Sequence, residues 1–108
     1  MRIYSLSLDV VASVCALANS VQRQDKDLAR QMRRAVTSVP LNMQEGLYGR
    51  GGTRTARLHD AMGSAKETMA CLHVCVAAKY LGQAQVDADL ARIDSVVAGL
   101  YRLAHRQR

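Results

Sequence analysis

The sequence predicts one all-α domain over residues 1–108, folded as an antiparallel up-down-up-down four-helix bundle. Three observations predict it. Apolar residues return every three or four positions along four separate stretches, the period of an amphipathic helix. The hydrophobic 49% of the chain is mainly Ala, Val, Leu and Met, with no Phe or Trp and four Tyr. Such side chains suit closely packed helices better than a β-sandwich, which favours aromatics. A single Pro leaves the helical pattern almost uninterrupted.

The first helix is expected from about Ser5 to Gln22, with Leu6, Val10, Val14, Leu17 and Val21 on one stripe. Arg2 and the apolar run Leu8 to Leu17 loosely imitate a secretory signal, but Asp9 and Ser13 interrupt it. No stretch reaches the ~18 apolar residues that a membrane span needs. Polar Gln22 to Asp27 form the first connection, in which Asp25 or Asp27 can cap the next helix. The second helix, about Asp27 to Tyr48, aligns Leu28, Met32, Ala35, Val39, Met43 and Gly46. Pro40 lies inside it, removes a backbone donor and crowds the preceding turn, so a kink is expected near Val36 to Val39.

Gly49-Arg50-Gly51-Gly52 marks the second connection. It joins two helices and lacks any Walker or dinucleotide pattern, so it reads as an interhelical turn. The third helix is expected from Thr53 or Thr55 to about Leu81, with Gly82 ending it. Its core stripe is Leu58, Met62, Ala65, Met69, Leu72 and Val76. A fourth helix, about Gln85 to His105, carries Val86, Leu90, Ile93, Val97, Leu100 and Ala104. Short connections between helices of similar length make neighbours antiparallel.

Two helices have more apolar surface than one bundle uses. From Met69 to Ala78 only His73 is not apolar, and Ala70, Val74 and Ala77 make a second stripe; Leu8, Val11, Cys15 and Ala18 do the same on the first helix. A helix apolar nearly all round must be buried nearly all round, so Ala70, Val74 and Ala77 are expected in a contact between copies of the chain.

The chemistry of catalysis is hard to find. The odd count of three cysteines, Cys15, Cys71 and Cys75, reads as reduced cytosolic thiols rather than a disulfide framework, and the expected location is the cytoplasm. Cys71 and Cys75 stand one turn apart without a second ligand pair, and the three histidines have no ligand spacing. No catalytic residue, metal or cofactor is expected. Arg34, Ser38, Asn42 and Glu45 lie one or two turns apart; with Asn42 expected to enter the core, the four read as a hydrogen-bonded polar cluster at the kink. The same residues used as a ligand site are the less favoured reading.

The charge points to polyanions. The chain carries a net +6 and a pI near 9.7. Nine cations lie between Arg23 and Lys66, among them Lys26, Arg30, Arg33, Arg50, Arg54 and Arg57, against Asp25, Asp27, Glu45 and Asp60. Arg102, Arg106 and Arg108 close the chain. No aromatic residues interleave with the face of the second helix that carries Lys26, Arg30 and Arg33, which argues against base stacking and leaves contact with the phosphate backbone. A solvated charged face is the bland alternative.

The segment Gln31-Met32-Arg33-Arg34-Ala35-Val36-Thr37-Ser38-Val39-Pro40-Leu41-Asn42-Met43-Gln44-Glu45-Gly46 resembles the signature of the "four helix bundle protein" family, which includes proteins encoded in intervening sequences of large-subunit ribosomal RNA genes. The family's pattern, Q-x-R-R-A followed by S-[IV]-P-x-N-[IM]-x-E-G, is met at eleven positions, Pro40, Asn42, Glu45 and Gly46 among them. Lys66-Glu67 and Lys79-Tyr80-Leu81-Gly82 resemble the family's third helix and its end. The chain departs in lacking the usual tryptophan of the first helix and in having Gln44 where Ala is common. The resemblance implies a four-helix bundle that forms a ring-like homopentamer. It also implies kinship with the accessory protein of diversity-generating retroelements, which binds a reverse transcriptase and nucleic acid.

Together these readings lead to a non-enzymatic, homo-oligomeric adaptor whose basic surface contacts RNA or DNA, with Arg30, Arg33, Arg50, Arg54 and Arg57 on the phosphates. A reverse transcriptase or another nucleic-acid enzyme is the expected companion, and no membrane. The alternative is a structural scaffold that binds protein partners alone.

Overall fold

The computed structural model describes residues 2–106 and contains four α-helices: α1 Arg2–Val21, α2 Lys26–Leu47, α3 Gly51–Ala77 and α4 Gln83–Ala104. Among the described residues there is no strand. Each helix packs on its sequence neighbours, and α4 returns to close the square against α1. Neighbours are antiparallel: on α1 and α4, Ile3 meets Gly99 while Ser13 bonds Asp89. On α2 and α3, Gly46 meets Leu58 while Met32 meets Cys75. The result is a rod of 46 × 22 × 19 Å.

The core follows the sequence stripe throughout α2 and in part on the other helices: Met69 and Val76 of α3 and Leu90, Val97 and Ala104 of α4 are only half-buried, while Thr68, Cys75, Asp89 and Val96 are buried beside them. Met32, Met43, Leu58, Leu72, Val86 and Leu100 are fully buried, and each such side chain contributes about 1.5–3 kcal/mol of transfer free energy. On α1 the buried stripe is Ser7, Val10, Val14, Ala18 and Val21. Ala18, which the sequence placed on the outer stripe, is therefore in the core, while Leu6 and Leu17 are only half-buried. By length and composition α1 would also pass as a membrane span, against the expectation that no stretch would; in the fold that buried stripe is packed against the other helices.

The caps explain where the helices start and stop. Asp25 caps α2, its Oδ1 accepting the Leu28 amide at 2.9 Å. α3 begins at Gly51, ahead of the expected threonines, with Gly51 at φ +54° where a glycine costs no steric strain. The other end of α3 corrects the sequence reading. The helix stops at Ala77, four residues before Leu81, and Lys79 rather than Gly82 takes the left-handed conformation at φ 64°. The Tyr80 amide donates to the Cys75 carbonyl at 2.8 Å and the Lys79 amide to that of Val76 at 3.0 Å, a Schellman closure. Gly82 instead opens α4, its amide donating to Gln85 Oε1 at 2.8 Å.

α2 runs unbroken through Pro40, which is buried. The hydroxyls of Thr37 and Ser38 donate to the Arg33 and Arg34 carbonyls at 2.8 Å, and Asn42 Nδ2 donates to the Ser38 carbonyl at 3.0 Å. These side chains supply extra donors around the turn that the proline crowds. A cavity of about 10 Å³ at the centre, lined by Ser7, Val10, Val36, Thr68 and Ile93, holds at most about one water. Its two hydroxyls bond back to their own helices, Ser7 to the Tyr4 carbonyl and Thr68 to that of Ser64.

Candidate nucleic-acid interface

Antiparallel packing redistributes the arginines that the sequence groups together. Arg30 and Arg33 lie near the start of α2, and Arg50, Arg54 and Arg57 beyond its end. The seventeen positions from Arg33 to Arg50 correspond to about 25 Å of helix. These five residues therefore belong to opposite ends of the rod and do not form one patch. The same packing brings the start of α1, the α2–α3 turn and the end of α4 together. There Arg2, Arg50, Arg54, Arg57, Arg102 and Arg106 face only two carboxylates, Glu45 and Asp60. The opposite end carries Arg23, Lys26, Arg30, Arg33 and Lys79 against Asp25, Asp27 and Asp87. The first end is the more basic.

Side-chain partners separate paired from unpaired cations at each end. Arg57 is held by both acids of its end, Glu45 at 3.2 Å and Asp60 at 3.2 Å. Arg54, half-buried, donates to the Gly46 carbonyl at 3.4 Å and so helps to close α2. Arg30 pairs with Asp27 at 3.4 Å, and Arg33 donates to Asn19 at 2.6 Å and Gln22 at 2.7 Å across to α1. Arg2, Arg50, Arg102 and Arg106 are exposed and have no carboxylate partner among the described residues. Arg2, Arg102 and Arg106 line a groove of about 210 Å³ floored by Ile3, Gly99 and Leu103. Arg23, Lys26 and Lys79 of the opposite end are likewise exposed without a carboxylate partner among the described residues, so the ends differ in net charge, which sets the long-range pull on a polyanion. The sequence signal for this was the terminal position of Arg2, Arg102 and Arg106; Arg108 lies outside the described residues.

The expected polar cluster on α2 forms only in part: Ser38 bonds the Arg34 carbonyl and Asn42 that of Ser38, without Glu45. Asn42 is half-buried rather than in the core, and its amide bonds back along its own helix. Glu45 is drawn out of the cluster by the opposite charge of Arg57 on α3. Arg34 and Ser38 instead border an open groove of about 270 Å³ shared with Gln31, Ser64 and Glu67. The buried polar network lies elsewhere. Asp89, 1% exposed, accepts from Ser13 Oγ at 2.6 Å and pairs with Arg92 at 2.9 Å, tying α4 to α1. In sequence it is one of three aspartates, Asp87, Asp89 and Asp94, on the fourth helix, with nothing to set it apart, which hid it.

The cysteines are packed. Cys75 is fully buried against Met32, its Sγ 3.7 Å from the sulfur. Burial, with Cys71 and Asp25 nearby, pushes its thiol up to about 11, so at neutral pH it is a protonated, unreactive thiol. Burial first and Glu67 second also raise Cys71. Among the described residues no three His, Cys, Asp or Glu side chains gather as a metal site would require.

Ala70, Val74 and Ala77 are exposed on the outer side of α3, Val74 to 50%. On α1 Leu8 is 45% exposed, with Val11 and Cys15 half-buried. α1 and α3 occupy opposite corners of the square, so these two apolar faces look outward on different sides.

The profile of the 23S rRNA-intervening sequence proteins matches residues 1–102. A protein of unknown function from the S23 ribosomal protein family of Bacteroides thetaiotaomicron VPI-5482 has the same fold, with a TM-score of 0.88 and 18% identity, over 96% of this chain and 99% of that one. No curated protein matches the chain.

Proposed function

The chain belongs to the family of 23S rRNA-intervening sequence proteins, and from that premise we propose that it is a non-enzymatic, homo-oligomeric protein that contacts RNA or DNA phosphates through the basic end of its bundle. The observation that carries the reading is the unbalanced end: six arginines against two carboxylates, both engaged by Arg57. Neither the family's description nor that of the structural relative names a catalysed reaction.

Each phosphate neutralised by an arginine releases about 0.9 of a counterion on duplex DNA, so affinity falls steeply with salt. Titration of a labelled duplex and an RNA hairpin over a salt series is the test. A steep linear decline with little sequence preference is expected. No binding at low salt would leave the second reading, a protein scaffold, which the exposed apolar faces of α1 and α3 favour.

Self-assembly is the other half of the proposal. Two different apolar faces on opposite sides of one subunit suit a head-to-tail contact, which closes into a ring if the rotation allows. Light scattering is expected to give a mass several times 11.8 kDa. Val74→Glu is expected to yield monomers or insoluble protein, because an unpaired charge would be buried in the contact. A clean monomer of the unaltered chain at micromolar concentration would contradict this.

A further inference from the structure

We infer that Tyr101, His105 and His59 form a stacking platform for unpaired nucleobases, making single-stranded nucleic acid the partner of the basic end. The inference rests on the phosphate-binding reading and specifies its substrate. The side chains of Tyr101 and His105 stack with ring centroids 4.0 Å apart and planes at 25°. His59 of α3 meets His105 edge-on at 5.5 Å and 81°. His105 Nδ1 lies 2.9 Å from the Tyr101 carbonyl, which only accepts, so the imidazole donates there and its ring is held in place. All three rings reach solvent, and Tyr101 is 56% exposed.

The absence of aromatics on the Lys26, Arg30 and Arg33 face does not extend to the basic end. In the fold, Arg102 and Arg106 directly follow Tyr101 and His105 at the end of α4, and α3 delivers His59 to the same end. Exposed aromatic side chains at the same end of the bundle as unpaired guanidinium groups are the chemistry of single-strand binding: the cations follow the backbone and each base offers a π-face to a ring. A duplex keeps its bases stacked inside and can use only the cations. An apolar protein partner would leave Arg102 and Arg106 without counter-charges, which favours the nucleic acid.

The test compares oligothymidylate, an abasic oligomer of equal length, and duplex DNA at one fixed salt concentration. The unaltered protein is expected to bind oligothymidylate about tenfold or more tighter than the abasic strand, the scale of stacking one or two bases. Tyr101→Leu is expected to erase that advantage and leave abasic and duplex binding unchanged, whereas Tyr101→Phe is expected to keep it. Equal affinity of the unaltered protein for the abasic and normal strands would overturn the platform while leaving the phosphate reading intact. A Tyr101→Leu variant that retained the full advantage would also overturn it. Failure to bind any of the three probes would overturn both readings.

Discussion

Asp89→Ala is expected to destabilise the bundle by about 2–4 kcal/mol, seen as a lower urea midpoint at fixed protomer concentration with an unchanged slope. Asp89 is a buried charge whose two oxygens are both used, one by Ser13 and one by Arg92. Hydrogen bonds to an ionised carboxylate are among the stronger ones in proteins. Removing the carboxylate leaves the Ser13 hydroxyl without its acceptor and Arg92 without its counter-charge, and Arg92 Nε is already buried without a partner. The cost stays below that of a fully enclosed pair because the Arg92 side chain is 38% exposed and can turn toward water. Asp89→Asn keeps the shape and one acceptor, so about half the loss is expected. An unchanged midpoint for Asp89→Ala would mean that the Ser13–Asp89–Arg92 network does not hold α4 to α1.

Periodicity alone disclosed the four helices, because each buries a continuous stripe and the stripe recurs in sequence. It also disclosed the Asp25 cap, whose chemistry is local. The end of α3 was misread for an equally local reason: glycine is the usual residue at a left-handed helix terminus, yet here Lys79 takes that conformation and Gly82 starts α4. Leu81 is buried between them, and that tertiary demand outweighs the propensity of either residue.

The site was legible only in part. Sequence proximity grouped Arg30 and Arg33 with Arg50, Arg54 and Arg57, but a helix converts sequence separation into length, and α2 carries the two groups to opposite ends. Conversely, Arg2, Arg102 and Arg106 are distant in sequence and meet because α1 and α4 are antiparallel. The His59–His105 contact has the same origin. The polar residues of α2 were visible as a set; their partition was not, since it depends on Arg57 reaching across from α3 to Glu45.

The central claim is that nucleic acid engages one end of the rod, and salt-dependent binding of two matched variants tests it most directly. In the first, Arg2, Arg50, Arg102 and Arg106 become Ala; in the second, Arg23, Lys26, Arg30 and Arg33 do. Both remove four charges, and most of these positions are exposed, where substitutions usually move stability by less than about 0.5 kcal/mol each. If the first four residues each neutralise a phosphate, the salt slope on duplex DNA flattens by up to about 3.6, and affinity near 0.1 M salt falls by up to about three orders of magnitude. The second variant is expected to lose less than about tenfold through the long-range field alone. An equal loss in both variants, or a larger loss in the second, would contradict the assignment of the interface to the end formed by Arg2, Arg50, Arg102 and Arg106.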